Sequence, residues 1–146
     1  MALDPNKWTI KTQEAFAAAV ERAKQLSNPE ITPDHLLGAV MRHEGTIVPS
    51  VLAKVGQAPL MVRNKADEAV ESLPKAYGGD EPRMSKALTN VVSNAEQYQK
   101  DLKDDFLSVE HLLLAMNDRI DVGSEELLQA MADVRGSHRV LSLIHI

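Results

Sequence analysis

The sequence predicts an all-α domain made of two related helical units. Three observations carry this. First, residues 9–40 slide onto residues 85–116 without a gap at a constant shift of 76. Ala19, Lys24, Leu26, His35, Leu36, Leu37 and Ala39 recur identically under that shift, and Thr9/Ser85, Asp34/Glu110 and Val40/Met116 recur in kind. A duplicated unit of this length constrains the architecture, and a motif found in both copies belongs to the fold before it belongs to function. Second, apolar residues recur at helical spacing behind capping residues. Third, aromatics make up only 3% of the 146 residues, so a 44% hydrophobic content must be packed from Leu, Val, Ile, Ala and Met. Small and unbranched side chains of this kind suit helices.

The elements follow in order. A first helix begins at Thr9 or Thr12, whose hydroxyls can accept from a free N–H of the first turn. Phe16, Ala19, Val20, Ala23 and Leu26 form its apolar stripe, and Ser27-Asn28-Pro29 stops it. A second helix opens with Thr32 as N-cap and Pro33 in the first position, where a missing N–H costs nothing. Asp34 in its first turn complements the helix dipole. Leu36, Leu37, Val40 and Met41 form its buried face, and His43-Glu44-Gly45 ends it. A short helix from about residue 49 to 55 is closed by Gly56. A fourth runs from Pro59 to about Leu73, with Leu60, Ala66, Ala69, Val70 and Leu73 as its expected face. Residues 75–82, with Gly78-Gly79, read as an exposed linker.

The second copy starts at Ser85, with Leu88, Val91, Val92, Ala95 and Leu102 as the stripe of its first helix. Ser108 caps the next, with Glu110 in its first turn and Leu112, Leu113, Ala115 and Met116 behind. The copy then shortens. One amphipathic helix over about residues 124–134, closed by Gly136, stands where the first copy has two, which predicts a weaker packing surface there. The expected limits are residues 7–140 for the domain, about 9–74 and 84–136 for its repeats, and 141–146 for a tail. That tail is apolar without polar relief, which is unusual for an exposed segment. It reads either as a continuation foreign to the domain or as a small terminal element that packs back.

Composition excludes several functions. The formal net charge is -5 and no Lys/Arg cluster is present, which argues against a nucleic-acid partner. The chain has no cysteine, hence no disulfide, thiolate nucleophile or Cys-ligated metal. This fits a cytoplasmic setting. The start has no basic and apolar signal-peptide pattern, and no apolar run approaches the roughly 20 residues that span a membrane, so no membrane partner is expected.

His35 and His111, each beside a carboxylate, suggest a metal or acid–base site, and a metal-dependent hydrolase is one reading. Their equivalent places in two repeats favour a structural role, since zinc needs three or four converging ligands and no His-x-x-x-His spacing occurs. His43, His138 and His145 lie outside any such pattern. Gly-x-Ser-x-Gly and P-loop motifs are missing from the sequence, so no catalytic residue, metal or cofactor is expected. Asp101, Asp104, Asp105 and Glu110 cluster around one inter-helix loop without an EF-hand order. They read as a solvated loop, or as an acidic rim beside an apolar groove. Val91, Val92 and Ala95 read as core, yet the seam between two units is a natural groove for a peptide.

Thr-Ile-Lys-Thr-Gln-Glu-Ala-Phe at 9–16, Asn-Pro-Glu-Ile-Thr-Pro-Asp-His-Leu-Leu at 28–37, Ser-Val-Glu-His-Leu-Leu-Leu-Ala-Met at 108–116 and Val-Arg-Gly-Ser at 134–137 together resemble the Clp amino-terminal domain. Within that family the chain is most similar to the ClpB (Hsp100) disaggregase branch. The resemblance implies a non-catalytic, double four-helix module of a hexameric AAA+ ATPase, with the second unit here shortened. It implies capture of unfolded or aggregated polypeptide in the cytoplasm, with hexamer formation through ATPase domains outside this chain. By position it implies a polypeptide-binding face using Thr9, Asp104 and Glu110, with Val91 and Val92 nearby. The alternative it implies is docking of an adaptor protein, as in the ClpA and ClpC branches.

Overall fold

A computed structural model describes residues 5–79, 81–136 and 140–141. Among them lie seven α-helices, two short 3-10 turns and one two-stranded sheet, an all-α fold. The first unit holds α1 (Ile10–Gln25), β1 (Glu30–Ile31), α2 (Pro33–Arg42), α3 (Val48–Lys54) and α4 (Pro59–Glu71). The second holds β2 (Arg83–Met84), α5 (Lys86–Asp101), α6 (Val109–Ala115), a 3-10 turn at Asn117–Ile120 and α7 (Ser124–Arg135).

The duplication is physical down to single hydrogen bonds. Thr9 caps α1 by accepting from the Thr12 N–H at 3.2 Å, and Ser85 caps α5 by accepting from the Leu88 N–H at 3.0 Å. Both helices end the same way. Ser27 (φ 55°) and Lys103 (φ 58°) take the left-handed conformation, which is uncommon for residues other than glycine. The next N–H turns back into the helix, from Asn28 to the Ala23 carbonyl (2.9 Å) and from Asp104 to the Gln99 carbonyl (3.0 Å). This is a Schellman closure of the helix end. It delivers Asn28 and Asp104 to the same point in each unit.

The two units also exchange backbone pairing. β1 pairs in parallel with β2, and its counterpart in the second unit, at Leu107, bridges in parallel to Trp8 in the first. The Ser85 N–H donates to the Ile31 carbonyl at 3.0 Å, and the Thr9 N–H donates to the Leu107 carbonyl at 2.9 Å. Each unit therefore satisfies the first turn of the other's long helix. One continuous core runs beneath both units. At its centre lies α6, where Leu112, Leu113, Leu114 and the following Met116 are fully buried. Trp8 stacks on Phe16 with ring centroids 4.4 Å apart.

Some details differ from the sequence expectation. The buried face of α4 is Val62, Ala66 and Val70, while Leu60 is exposed. The helix stops at Glu71, short of Leu73, and α3 starts one residue early, at Val48. After α6 the chain forms the 3-10 turn and then α7, which packs against α3, α6 and that turn. Among the described residues no helix lies along α6 as α4 lies along α2. Leu141 is half-exposed beside the buried Val140, and the rest of the apolar tail lies outside the described residues. Among those residues no helix is long and apolar enough to cross a membrane.

Candidate binding surface

The duplicated histidines occupy one hydrogen-bonding pattern, built twice. In α2 the Thr32 N–H donates to His35 Nδ1 at 2.9 Å, closing a capping box. Nδ1 is thus an acceptor, the ring proton sits on Nε2, and Nε2 donates to Asn28 Oδ1 at 2.9 Å. In α6 the Ser108 N–H donates to His111 Nδ1 at 2.9 Å, and Nε2 donates to Asp104 Oδ2 at 2.7 Å. All four ring nitrogens are spent on the fold. Burial, with Arg22 nearby, lowers the His35 pKa below its ordinary 6.5, against the pull of Asp34. Among the described residues no group of three His, Asp or Glu side chains converges as a metal site would require.

The second copy adds charge to this pattern. Asn28 uses its amide to donate to the Pro74 carbonyl at 3.1 Å. Asp104 has no hydrogen to give. Its Oδ1 instead accepts from the Val140 N–H at 2.8 Å and from Arg135 Nη2. Arg135 Nε also lies 3.5 Å from Glu110 Oε2. Burial alone would raise the Asp104 carboxyl, but the bonds from His111, Arg135 and Val140 outweigh it and hold it below the usual carboxylate range. Arg135 is thus the cation of this cluster, and the sequence reading missed it. The available signal was that two carboxylates in the second copy, near a helix start, would need a cation if buried.

The five residues expected on the binding face all turn inward. Thr9 is 2% exposed, Val91 8%, Val92 0%, Asp104 6% and Glu110 1%. Thr9 is tied to Leu107, whose carbonyl also accepts from Thr12 Oγ1 at 3.0 Å. Asp104 and Glu110 meet at Arg135, while Val91 and Val92 belong to the core on α5. The structure thus brings Asp104 and Glu110 together, and shows all five as framework. Asp101 and Asp105 of the acidic loop are exposed.

The open part of the seam lies elsewhere, between α4 and the 3-10 turn. A cleft of about 520 Å³ there is lined by residues that include Met61, Val62, Lys65, Glu68, Arg119 and Ile120. It adjoins a second cleft of about 320 Å³ over Asp34, Leu37, Ala66 and Ala69, with Lys65 and Arg119 shared between the two. Two ion pairs cross the seam, Arg119 to Asp34 at 3.0 Å and Lys65 to Asp121 at 3.0 Å. Leu60 and Met61, 62% and 66% exposed, stand beside it. This surface combines apolar floor, mobile methionine and a charged rim.

Comparison with known proteins agrees with this architecture. The Clp repeat (R) N-terminal domain model matches residues 7–131. The chaperone protein ClpB of Mycobacterium leprae is 36% identical over 92% of this chain and 17% of its own length. The chain thus spans about one sixth of the curated relatives it matches. The crystal structure of the Hsp104 N-terminal domain from Candida albicans superposes with a TM-score of 0.80 at 20% identity, covering 94% of this chain and 97% of that one. A ClpV N-domain in complex with a VipB peptide superposes with a TM-score of 0.70 at 18% identity, over 92% and 96% of the two chains. With the doubled helical unit, the paired capping histidines and the matched family model in hand, the chain belongs to the Clp repeat N-terminal domain family.

Proposed function

We propose that this chain is the non-catalytic, polypeptide-engaging N-terminal module of a ClpB-type, ATP-driven disaggregase. The observation that carries the reading is the open seam between the units, where Leu60 and Met61 stand exposed beside an apolar cleft with a charged rim. Methionine adapts to many apolar partners because its side chain is unbranched and polarisable. A surface of this kind suits unfolded or aggregated segments, whose only common feature is exposed apolar side chains. The peptide held by the ClpV N-domain is a ligand of the same general kind. Binding at one module is weak in this reading, and copies arrayed on a hexamer raise the effective concentration. Those ATPase rings belong to the part of the relatives that this chain does not span.

Thr9, Val91, Val92, Asp104 and Glu110 enter the proposal as the frame that fixes the start of α1, the 104–107 loop and the start of α6. Docking of a folded adaptor is the second reading, favoured by the ion pairs on the seam, which suit a partner of fixed shape. Backbone chemical shifts of the domain, titrated with a permanently unfolded polypeptide, test the assignment. Perturbation at Leu60, Met61, Lys65 and Ile120 supports the seam. Perturbation confined to Thr9, Val92, Asp104 and Glu110 moves the site to their face. No perturbation anywhere overturns polypeptide capture, and one stoichiometric folded partner from lysate then supports docking.

A further inference from the structure

The duplication leaves one place in the second unit unfilled. In the first unit α4 lies along α2, and Asp67 on α4 is clamped there by two arginines. Arg42 Nη2 lies 2.6 Å from Asp67 and Arg22 lies 4.0 Å away. Gly38 permits the approach, since a Cβ there would stand only 3.5 Å from Asp67 Oδ1 and 3.2 Å from Arg42. The 76-residue shift carries this surface onto α5, α6 and the start of the 3-10 turn. There, among the described residues, no helix covers it. A groove of about 330 Å³ remains, with Asn94, Tyr98, Asp101, Leu114, Ala115 and Asn117 among its walls.

The substitutions at the equivalent positions reverse its chemistry. Arg22 becomes Tyr98, Arg42 becomes Asp118, Gln25 becomes Asp101 and Gly38 becomes Leu114. The clamp that fits an acidic helix in the first unit is thus replaced by aspartate, phenol and amide groups. Leu114 partly fills the space that Gly38 leaves for α4, so the groove is shallow. Asn94, Tyr98 and Asp101 stand at helical spacing on one face of α5 and run parallel to its length.

We propose that this groove docks an amphipathic helix of a partner protein. That helix presents small apolar side chains at the spacing of Val62, Ala66 and Val70, and a lysine or arginine where α4 carries Asp67. The mode is helix-in-groove recognition, with the first unit as its template and the charge inverted. It does not rest on the polypeptide-capture reading, which uses the seam on the opposite side of α4.

Two synthetic peptides test it: the sequence of residues 58–73, and the same peptide with Asp67→Lys. Each is titrated into the isotope-labelled domain. The Asp67→Lys peptide should shift Asn94, Tyr98, Asp101 and Ala115, and should bind about fivefold more tightly than its parent, the worth of one exposed ion pair. Asp101→Lys in the domain, an exposed change that leaves the core intact, should invert that preference. Equal binding of both peptides overturns the charge argument. Shifts along α2, from displacement of α4, overturn the site, as does the lack of any shift, which would mean that the groove is closed in solution. Failure here leaves the seam titration unaffected, so the two proposals fail separately.

Discussion

At position 104 the second unit carries a carboxylate where the first carries an amide. The exchange from Asn28 to Asp104 keeps the acceptor for a histidine Nε2–H and replaces the amide donor with charge, which Arg135 and the Val140 N–H then satisfy. Removing one member of a buried charge group leaves its partners unpaired. Asp104→Ala should therefore destabilise the domain by about 3 kcal/mol, with Asp104→Asn costing less because an amide still accepts from His111. The folded pKa of Asp104 lies below the ordinary 3.8. Its stabilisation is thus fully present above that value and is lost as the pH falls through the folded pKa. Denaturant midpoints should separate wild type from Asp104→Asn at neutral pH and converge toward about pH 3. A constant gap would show that charge plays no part. The sequence showed Asp104 and Glu110 as a cluster but could not show them buried, because their cation stands 31 residues further along at Arg135. Carboxylates without a visible local partner read as solvated.

At the scale of elements, the helices were legible wherever a cap and a stripe agreed. Thr9, Thr32, Ser85 and Ser108 stand at four true starts, and Gly136 at a true end. α4 was found but rotated in phase, since Leu60, Met61 and Val62 are consecutive and periodicity alone cannot say which turns inward. The two-residue strands and the Trp8–Leu107 bridge left no trace, because so short a run shows no alternation. α4 is also the element with the least holding it. No side chain caps its start, and its buried face is three residues of modest size. Val70→Ala should cost about 2 kcal/mol through the lost methyl groups and the cavity. Asp67→Ala, which removes a partly exposed ion pair, should cost under about 1 kcal/mol. Native-state hydrogen exchange should show α4 amides opening well before those of α6, whose side chains are buried along its length. Equal protection in the two helices would contradict this ranking.

The whole molecule behaves as one unit because each half completes the other. The Thr9 N–H finds its acceptor at Leu107 and the Ser85 N–H finds its acceptor at Ile31, so neither long helix has a finished first turn within its own half. The core does not divide at the linker either, since α6 sits in the middle of one cluster drawn from both units. Each half alone would expose much of that cluster and two unpaired strand segments. By contrast, the Gly78-Gly79 turn is exposed, and a Cβ at either glycine meets nothing within 4 Å. The chain can therefore be cut there without touching what holds the halves together. A protease site placed between Gly78 and Gly79 and then cleaved should give a two-chain complex that elutes as the intact domain and keeps its helical circular dichroism. Its denaturant midpoint should fall on dilution, because unfolding is now also dissociation. The separate halves should be largely unfolded and should regain helicity when mixed. Halves that fold independently, with no gain on mixing, would mean that the duplicated units are two domains in contact, and the exchange of backbone pairing would then be a consequence of their contact and not a condition of folding.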